Sequence, residues 1–204
     1  TALFNFLSTH PELAPSKIKE TNYFTPLLYG EPCPHIDQYN QLFEISGASK
    51  RIPFEATPSY FLGGSIIAPE IRRHFPESVM VIILRDPVDK FISSFNHYRT
   101  KLDIDSDISL SAYYERCKNF DLSQLGRLSD VYRLSVFEGH YLDRLKSWYS
   151  AFEDHHILIY FYEDLLYFPE IVITGICNAL GIDKSILNPD EIKKTNVSSG
   201  FRNA

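Results

Sequence analysis

The chain is poor in cysteine. Cys33, Cys117 and Cys177 are three in number, far apart, and lack the spacing of a metal-ligand set. That excludes a disulfide framework and predicts a thiol-poor domain. Long apolar runs are missing too: nothing approaches the ~18 residues of a membrane span, and no signal-peptide pattern is present. No membrane contact is therefore expected within these residues. Cations are outnumbered, with 20 Lys and Arg against 26 Asp and Glu and a net charge of −6. Broad nucleic-acid binding, which needs many phosphate-neutralising cations, is excluded, whereas a local basic pocket for a small anion is not. Internal repeats and low-complexity segments are absent. So is an initiating methionine: "TALFNFLSTHPEL" enters a helix with no strand before it, which predicts a chain cut short at that end.

What is present suits one substantial core. The 204 residues are 44% hydrophobic and 23% charged, and 15 Phe and 13 Tyr make the interior bulky. Leu3, Phe6 and Leu7 predict a helix over residues 1–10, stopped by Pro11. A short strand is expected at 51–55 and a helix in "SIIAPEIRRHFP". The clearest strand covers 79–84, and a helix follows over 87–99 with Asp86 as its cap and Pro87 at its first position. Residues 103–135 read as helical pieces and loops. In "FEGHYLDRLKSWYSAF", Tyr141, Leu142, Leu145 and Trp148 share one helical face. "HILIYFYEDL" is a second buried strand, and "FPEIVITGICNALG" is a helix stopped by Gly181. Apolar strands alternating with helices predict an α/β fold, a mainly parallel sheet flanked by helices in three layers. Ligands in such folds bind beyond the carboxyl ends of the strands.

The stretch "VMVIILRDPVDKFISSFNHYRT" places Arg85 at such an end. Val88, Phe91, Ile92 and Phe95 form a stripe expected to face the sheet. Lys90, Ser93 and His97 share a more polar face by their i, i+3, i+7 spacing. A guanidinium, a helix N-terminus and a helix hydroxyl together suit a phosphate or sulfate. Spacing alone equally allows Arg85 an ordinary surface ion pair with Asp86 or Asp89. Elsewhere metal binding is disfavoured. His155 and His156 are adjacent at a strand entry and should point to opposite faces. Asp103, Asp105 and Asp107 lack the glycine and closing glutamate of a calcium loop. Glu163 and Asp164 read as a loop after a strand.

"LRDPVDKFISSFNHYR" resembles the 3′-phosphate-binding segment of the sulfotransferases that use 3′-phosphoadenosine 5′-phosphosulfate (PAPS). "NHYR" resembles their heparan sulfate N-sulfotransferase branch, where a His lies near the acceptor. "TALFNFLSTHPEL" is similar to the helix after the family's phosphosulfate loop, "KETNYF" to the segment carrying the catalytic Glu of carbohydrate sulfotransferases, "FEATPSYF" to their EK(S/T)-x-x-YF element, and "LIYFYEDL" to a late strand and loop. The resemblance covers nearly all 204 residues. It departs from the family pattern at Ala56, where the EK element has Lys. The phosphosulfate loop with its Lys is absent, and the adenosine-clamping segment is cut short at "SSGFRNA".

The resemblance implies a P-loop-type nucleotide fold lacking its first strand and phosphosulfate loop, and one sulfotransferase domain over 1–204, truncated at both ends. It implies PAPS as co-substrate and sulfuryl transfer to a hydroxyl or amine, on a carbohydrate, without a metal ion. Arg85 and Ser93 would hold the 3′-phosphate. Thr1 and Ala2, opening the first helix, would meet the 5′-phosphosulfate. Glu20 would be the general base, with His97 assisting, and the segments 25–50 and 100–135 would shape the acceptor site. Bacterial relatives of this kind are cytoplasmic, and animal ones work in the Golgi lumen. Two alternatives stand beside it: a P-loop nucleotide or nucleoside kinase, which needs Mg²⁺ ligands at strand ends, and a non-catalytic binding module on the same fold.

Overall fold

A computed structural model describes residues 2–45, 50–101, 103–126 and 128–192, the side chains of 128, 129 and 190 excepted. These residues fall into two compact units: one runs to Leu84 and resumes at Lys146, and the other is Arg85–Leu145.

The first unit carries the sheet. Helix α1 (Ala2–Leu7) leads into β1 (Leu13–Pro15). After a 3₁₀ turn at Thr25–Tyr29 and a short helix α2 (Ile36–Asn40) comes β2 (Ile52–Phe54), parallel to β1 with Leu13 opposite Ile52. Helices α3 (Ser59–Leu62) and α4 (Gly64–His74) return the chain to β3 (Met80–Leu84). Pro69 sits inside α4 without ending it. Strand β3 pairs in parallel with a later strand at Ile157–Phe161, Met80 opposite Ile157 and Leu84 opposite Phe161. Among the described residues the two pairs form separate two-stranded sheets, both parallel as α/β layering requires. Phe6 and Leu7 of α1, Leu13 of β1, and Val172, Ile173, Ile176 and Cys177 of a late helix close one apolar cluster, against which Ile52, Phe54, Val81, Ile83 and Leu158 pack.

The second unit begins with helix α5 (Pro87–Thr100) and α6 (Leu110–Cys117), followed by 3₁₀ segments at Leu122–Gln124, Leu128–Ser135 and Phe137–Gly139. Its core is Phe95, Ile104, Ile108, Tyr113 and Cys117, with Phe91, Tyr98, Tyr132 and Val136 packed on it. The buried Tyr113 hydroxyl is satisfied by Tyr132 O at 2.8 Å and Ser135 Oγ at 2.5 Å. Here the expected sheet-facing stripe of α5 is corrected. Phe91 stacks on Tyr113 with ring centroids 5.2 Å apart, and Val88 is 64% exposed in the first turn.

Helix α7 (Tyr141–Ala151), β4 (Ile157–Phe161), α8 (Tyr162–Tyr167) and α9 (Pro169–Leu180) follow, with 3₁₀ segments at Lys184–Ile186 and Pro189–Glu191 after them. The inward row of α7 differs from the one expected. Leu142 is 64% exposed, and Arg144, only 5% exposed, takes an inward position. Its guanidinium lies 3.8 Å from the centre of the Phe137 ring and donates to His140 O, so a cation–π contact and a carbonyl offset its desolvation. Gly181 ends α9 with φ +65°, the left-handed cap read from the sequence. Glu163 and Asp164 lie in the first turn of α8 rather than in a loop, and Asp164 Oδ2 accepts from Phe161 N at 2.8 Å.

Candidate active site

Arg85 follows the last residue of β3, because an apolar strand gives way there to Asp86-Pro87. Asp86 caps α5: its Oδ1 accepts from Val88 N at 2.9 Å and Asp89 N at 3.0 Å. This amends the expected anion site. The first free amides of α5 are engaged by the chain's own carboxylate, so an anion near Arg85 must rely on side chains. The carbonyl of Arg85 is itself held, accepting from the Tyr141 hydroxyl at 2.8 Å. Burial pushes that phenol's pKa up.

The polar face of α5 forms as its spacing predicts, though with different availability. Lys90 is ion-paired with Glu138 in the second unit. Ser93 is half-buried one turn on, and His97 is exposed with its ring edge-on to Tyr98 at 5.3 Å. Arg85, Ser93 and His97 thus belong to the second unit.

Ala2 and Glu20 belong to the first; Thr1 lies outside the described residues. Ala2 is the first residue of α1. Glu20 is exposed, its carboxylate paired with Lys19. Its backbone is unusual. Glu20 has φ +62° and Asn22 φ +53°, and these are the non-glycine positions with positive φ among the described residues. Such left-handed geometry costs a side-chain-bearing residue ~1–2 kcal/mol.

What holds that backbone was not foreseen from the sequence. Glu55, the residue after β2, accepts hydrogen bonds from Thr21 Oγ1 at 2.7 Å, Thr57 Oγ1 at 2.6 Å and Tyr39 OH at 2.9 Å. Tyr60 OH lies 3.0 Å from Thr21 Oγ1 and accepts from Phe24 N at 3.2 Å. Burial, then the Glu55 charge, push Tyr60 up to about 12 and hold Tyr39 still further above the usual phenol range. The signal lies in "FEATPSYF", where Glu55 stands directly before Ala56.

His155 and His156 end a 3₁₀ turn that leads directly into β4 at Ile157; His155 is exposed and His156 buried, with ring centroids 4.2 Å apart. His156 Nδ1 lies 3.1 Å from Ser78 O. Among the described residues no three His, Cys, Asp or Glu side chains are grouped as a metal site, and no helix is long and apolar enough to cross a membrane.

Residues 72–202, which include Arg85, Ser93 and His97, match the sulfotransferase domain family. The chain belongs to that family. Within it, the chain is 26% identical over 193 residues to the mouse and human bifunctional heparan sulfate N-deacetylase/N-sulfotransferase 1. The alignment covers 91% of this chain and 21% of each relative, so the chain spans about a fifth of their length. A sulfotransferase from Alicyclobacillus acidocaldarius has the same fold, with a TM-score of 0.78 over 97% of this chain and 82% of that one at 18% identity. The α/β, P-loop-like architecture follows.

Proposed function

We propose that residues 1–204 act as one sulfotransferase domain that moves the sulfuryl group of PAPS to a hydroxyl or amine, on a carbohydrate acceptor. The observation carrying this reading is Arg85 at the carboxyl end of β3 with Ser93 eight residues on, inside the segment that matches the family. The S–O bond to the 5′-phosphate breaks as the acceptor forms its own bond to sulfur, and the acceptor proton leaves to a base. PAPS supplies the activated sulfuryl group and leaves as 3′-phosphoadenosine 5′-phosphate.

The chain's part is to bind, align and remove a proton. Arg85 and Ser93 hold the 3′-phosphate, Arg85 as a charge-assisted donor and Ser93 through its hydroxyl. Asp86 occupies the nearest α5 amides, which leaves the guanidinium as the principal anion ligand there. Thr1 and Ala2 serve the 5′-phosphosulfate. Glu20 takes the acceptor proton, and to do so it must exchange its contact with Lys19 for one with the acceptor. His97, exposed on the same helix face as Ser93, assists as a second acid–base group. Family membership favours this reading over a nucleotide kinase, and turnover separates it from a non-catalytic module.

The experiment is a titration of the full-length protein with 3′-phosphoadenosine 5′-phosphate and with AMP, in wild type and Arg85→Ala. A charge-assisted bond contributes ~1.5–3 kcal/mol, or about 10- to 100-fold in affinity. Wild type should prefer the 3′-phosphorylated nucleotide by that factor, and Arg85→Ala should lose the preference. Equal affinity of wild type for both nucleotides overturns the assignment.

A further inference from the structure

The segment carrying Glu20 is stitched to one half-buried carboxylate, that of Glu55. Three consecutive backbone amides end on hydroxyls tied to Glu55. Asn22 N meets Thr57 Oγ1 at 3.4 Å, Tyr23 N meets Thr21 Oγ1 at 3.4 Å, and Phe24 N meets Tyr60 OH at 3.2 Å. Each hydroxyl has one proton to give. Thr57 and Thr21 give theirs to Glu55, so Tyr60, 3.0 Å from Thr21 Oγ1, gives its proton to Thr21. The direction of the chain is thus fixed: Phe24 N–H to Tyr60, Tyr60 to Thr21, Thr21 to Glu55. A carboxylate only accepts, so Glu55 can terminate all these donors at once.

This network spans the strained stretch. Thr21 lies between Glu20 and Asn22, the two residues with positive φ. Without an outside hold, that backbone would relax towards the right-handed or extended regions and turn the Glu20 side chain elsewhere. We propose that Glu55 is a positioning residue: acting through Thr21, it fixes the backbone that aims Glu20 at the acceptor. The inference rests on the reading of Glu20 as the base. Glu55 itself touches no reacting atom; its carboxylate is taken up by Thr21, Thr57 and Tyr39.

The test uses the full-length protein and measures kcat together with affinity for 3′-phosphoadenosine 5′-phosphate. Glu55→Gln replaces one acceptor oxygen with a donor, and Thr21→Val removes the linking hydroxyl while keeping its shape. Each should lower kcat about 10- to 100-fold, the scale of a misplacement of about an ångström, with nucleotide affinity unchanged. Thr21→Ser, which retains the hydroxyl, should recover most of the loss. In a Glu20→Gln background, Glu55→Gln should cost nothing further, since the base it aims is already gone. Wild-type kcat in Thr21→Val, or an undiminished extra loss from Glu55→Gln in the Glu20→Gln background, overturns the proposal while leaving the base in place. Near-wild-type kcat in Glu20→Gln alone instead overturns the base assignment, and this inference with it.

Discussion

Replacing Gly175 by alanine should destabilise the protein, against the usual rule. In a helix interior, glycine to alanine normally stabilises by ~1 kcal/mol, because alanine loses less backbone entropy. Gly175 lies in the interior of α9, which packs on β4. A Cβ there would stand 1.9 Å from the Tyr160 hydroxyl and 3.1 Å from its Cζ. Tyr160 cannot easily withdraw, since its backbone is registered against Ile83 in the parallel pair and its ring packs on the core. Overpacking of this kind costs ~1–3 kcal/mol. An overlap this deep belongs at the upper end, so the net loss is about 2 kcal/mol after the helical gain. Tyr160→Phe removes the nearest atom and leaves the 3.1 Å carbon, which a shift of a few tenths of an ångström relieves. In that background Gly175→Ala should be close to neutral. The assay is urea unfolding followed by Trp148 fluorescence, a suitable probe because the ring is 3% exposed in the first unit. Comparable m-values would show that stability alone has changed. A Gly175→Ala protein as stable as wild type, or one equally weakened in both backgrounds, would refute the reasoning.

Two further outcomes are expected. Tyr60 is raised from 10.0 to about 12 in the folded protein, so its contribution is intact below about pH 10 and lost as pH rises to about 12, on the order of 2–3 kcal/mol; the urea midpoint should fall in that window and fall less in Tyr60→Phe, and a midpoint independent of pH would contradict this. Sulfuryl transfer should survive excess EDTA, because fixed cations such as Arg85 can stabilise the transferring group; activity lost in EDTA and restored by Mg²⁺ would favour the kinase alternative.

Legibility followed the range of the forces involved. Strand β3 and helix α5 could be read from the sequence because an apolar run, Asp86 and Pro87 act within a few residues of one another. Gly181 likewise announced the end of α9 through its own backbone. Apolar character alone points to Leu142 as an inward residue of α7, whereas Phe137 and a carbonyl make room for Arg144 instead. The single 3₁₀ turn ending at His156 leaves no local signal of its own beside the apolar run that starts at Ile157. The family was legible in motifs of a dozen residues. The Glu55 network was not, since its hydroxyls come from positions 21, 39, 57 and 60, which no local periodicity connects.

The pairing of β3 with β4 also bears on how the chain is made. Met80 meets Ile157, so ~75 residues must emerge from the ribosome before the strand "MVIIL" finds this neighbour. At about 5–20 residues per second, that is several seconds during which an apolar strand lacks its native edge partner. Parallel pairing cannot shorten the wait, because no tight turn can join two parallel strands. The whole of the second unit, Arg85–Leu145, is synthesised within that interval. Its core residues Phe95, Ile104, Ile108, Tyr113 and Cys117 all come from that stretch, so this unit has the material to collapse on itself while β3 is still waiting for β4.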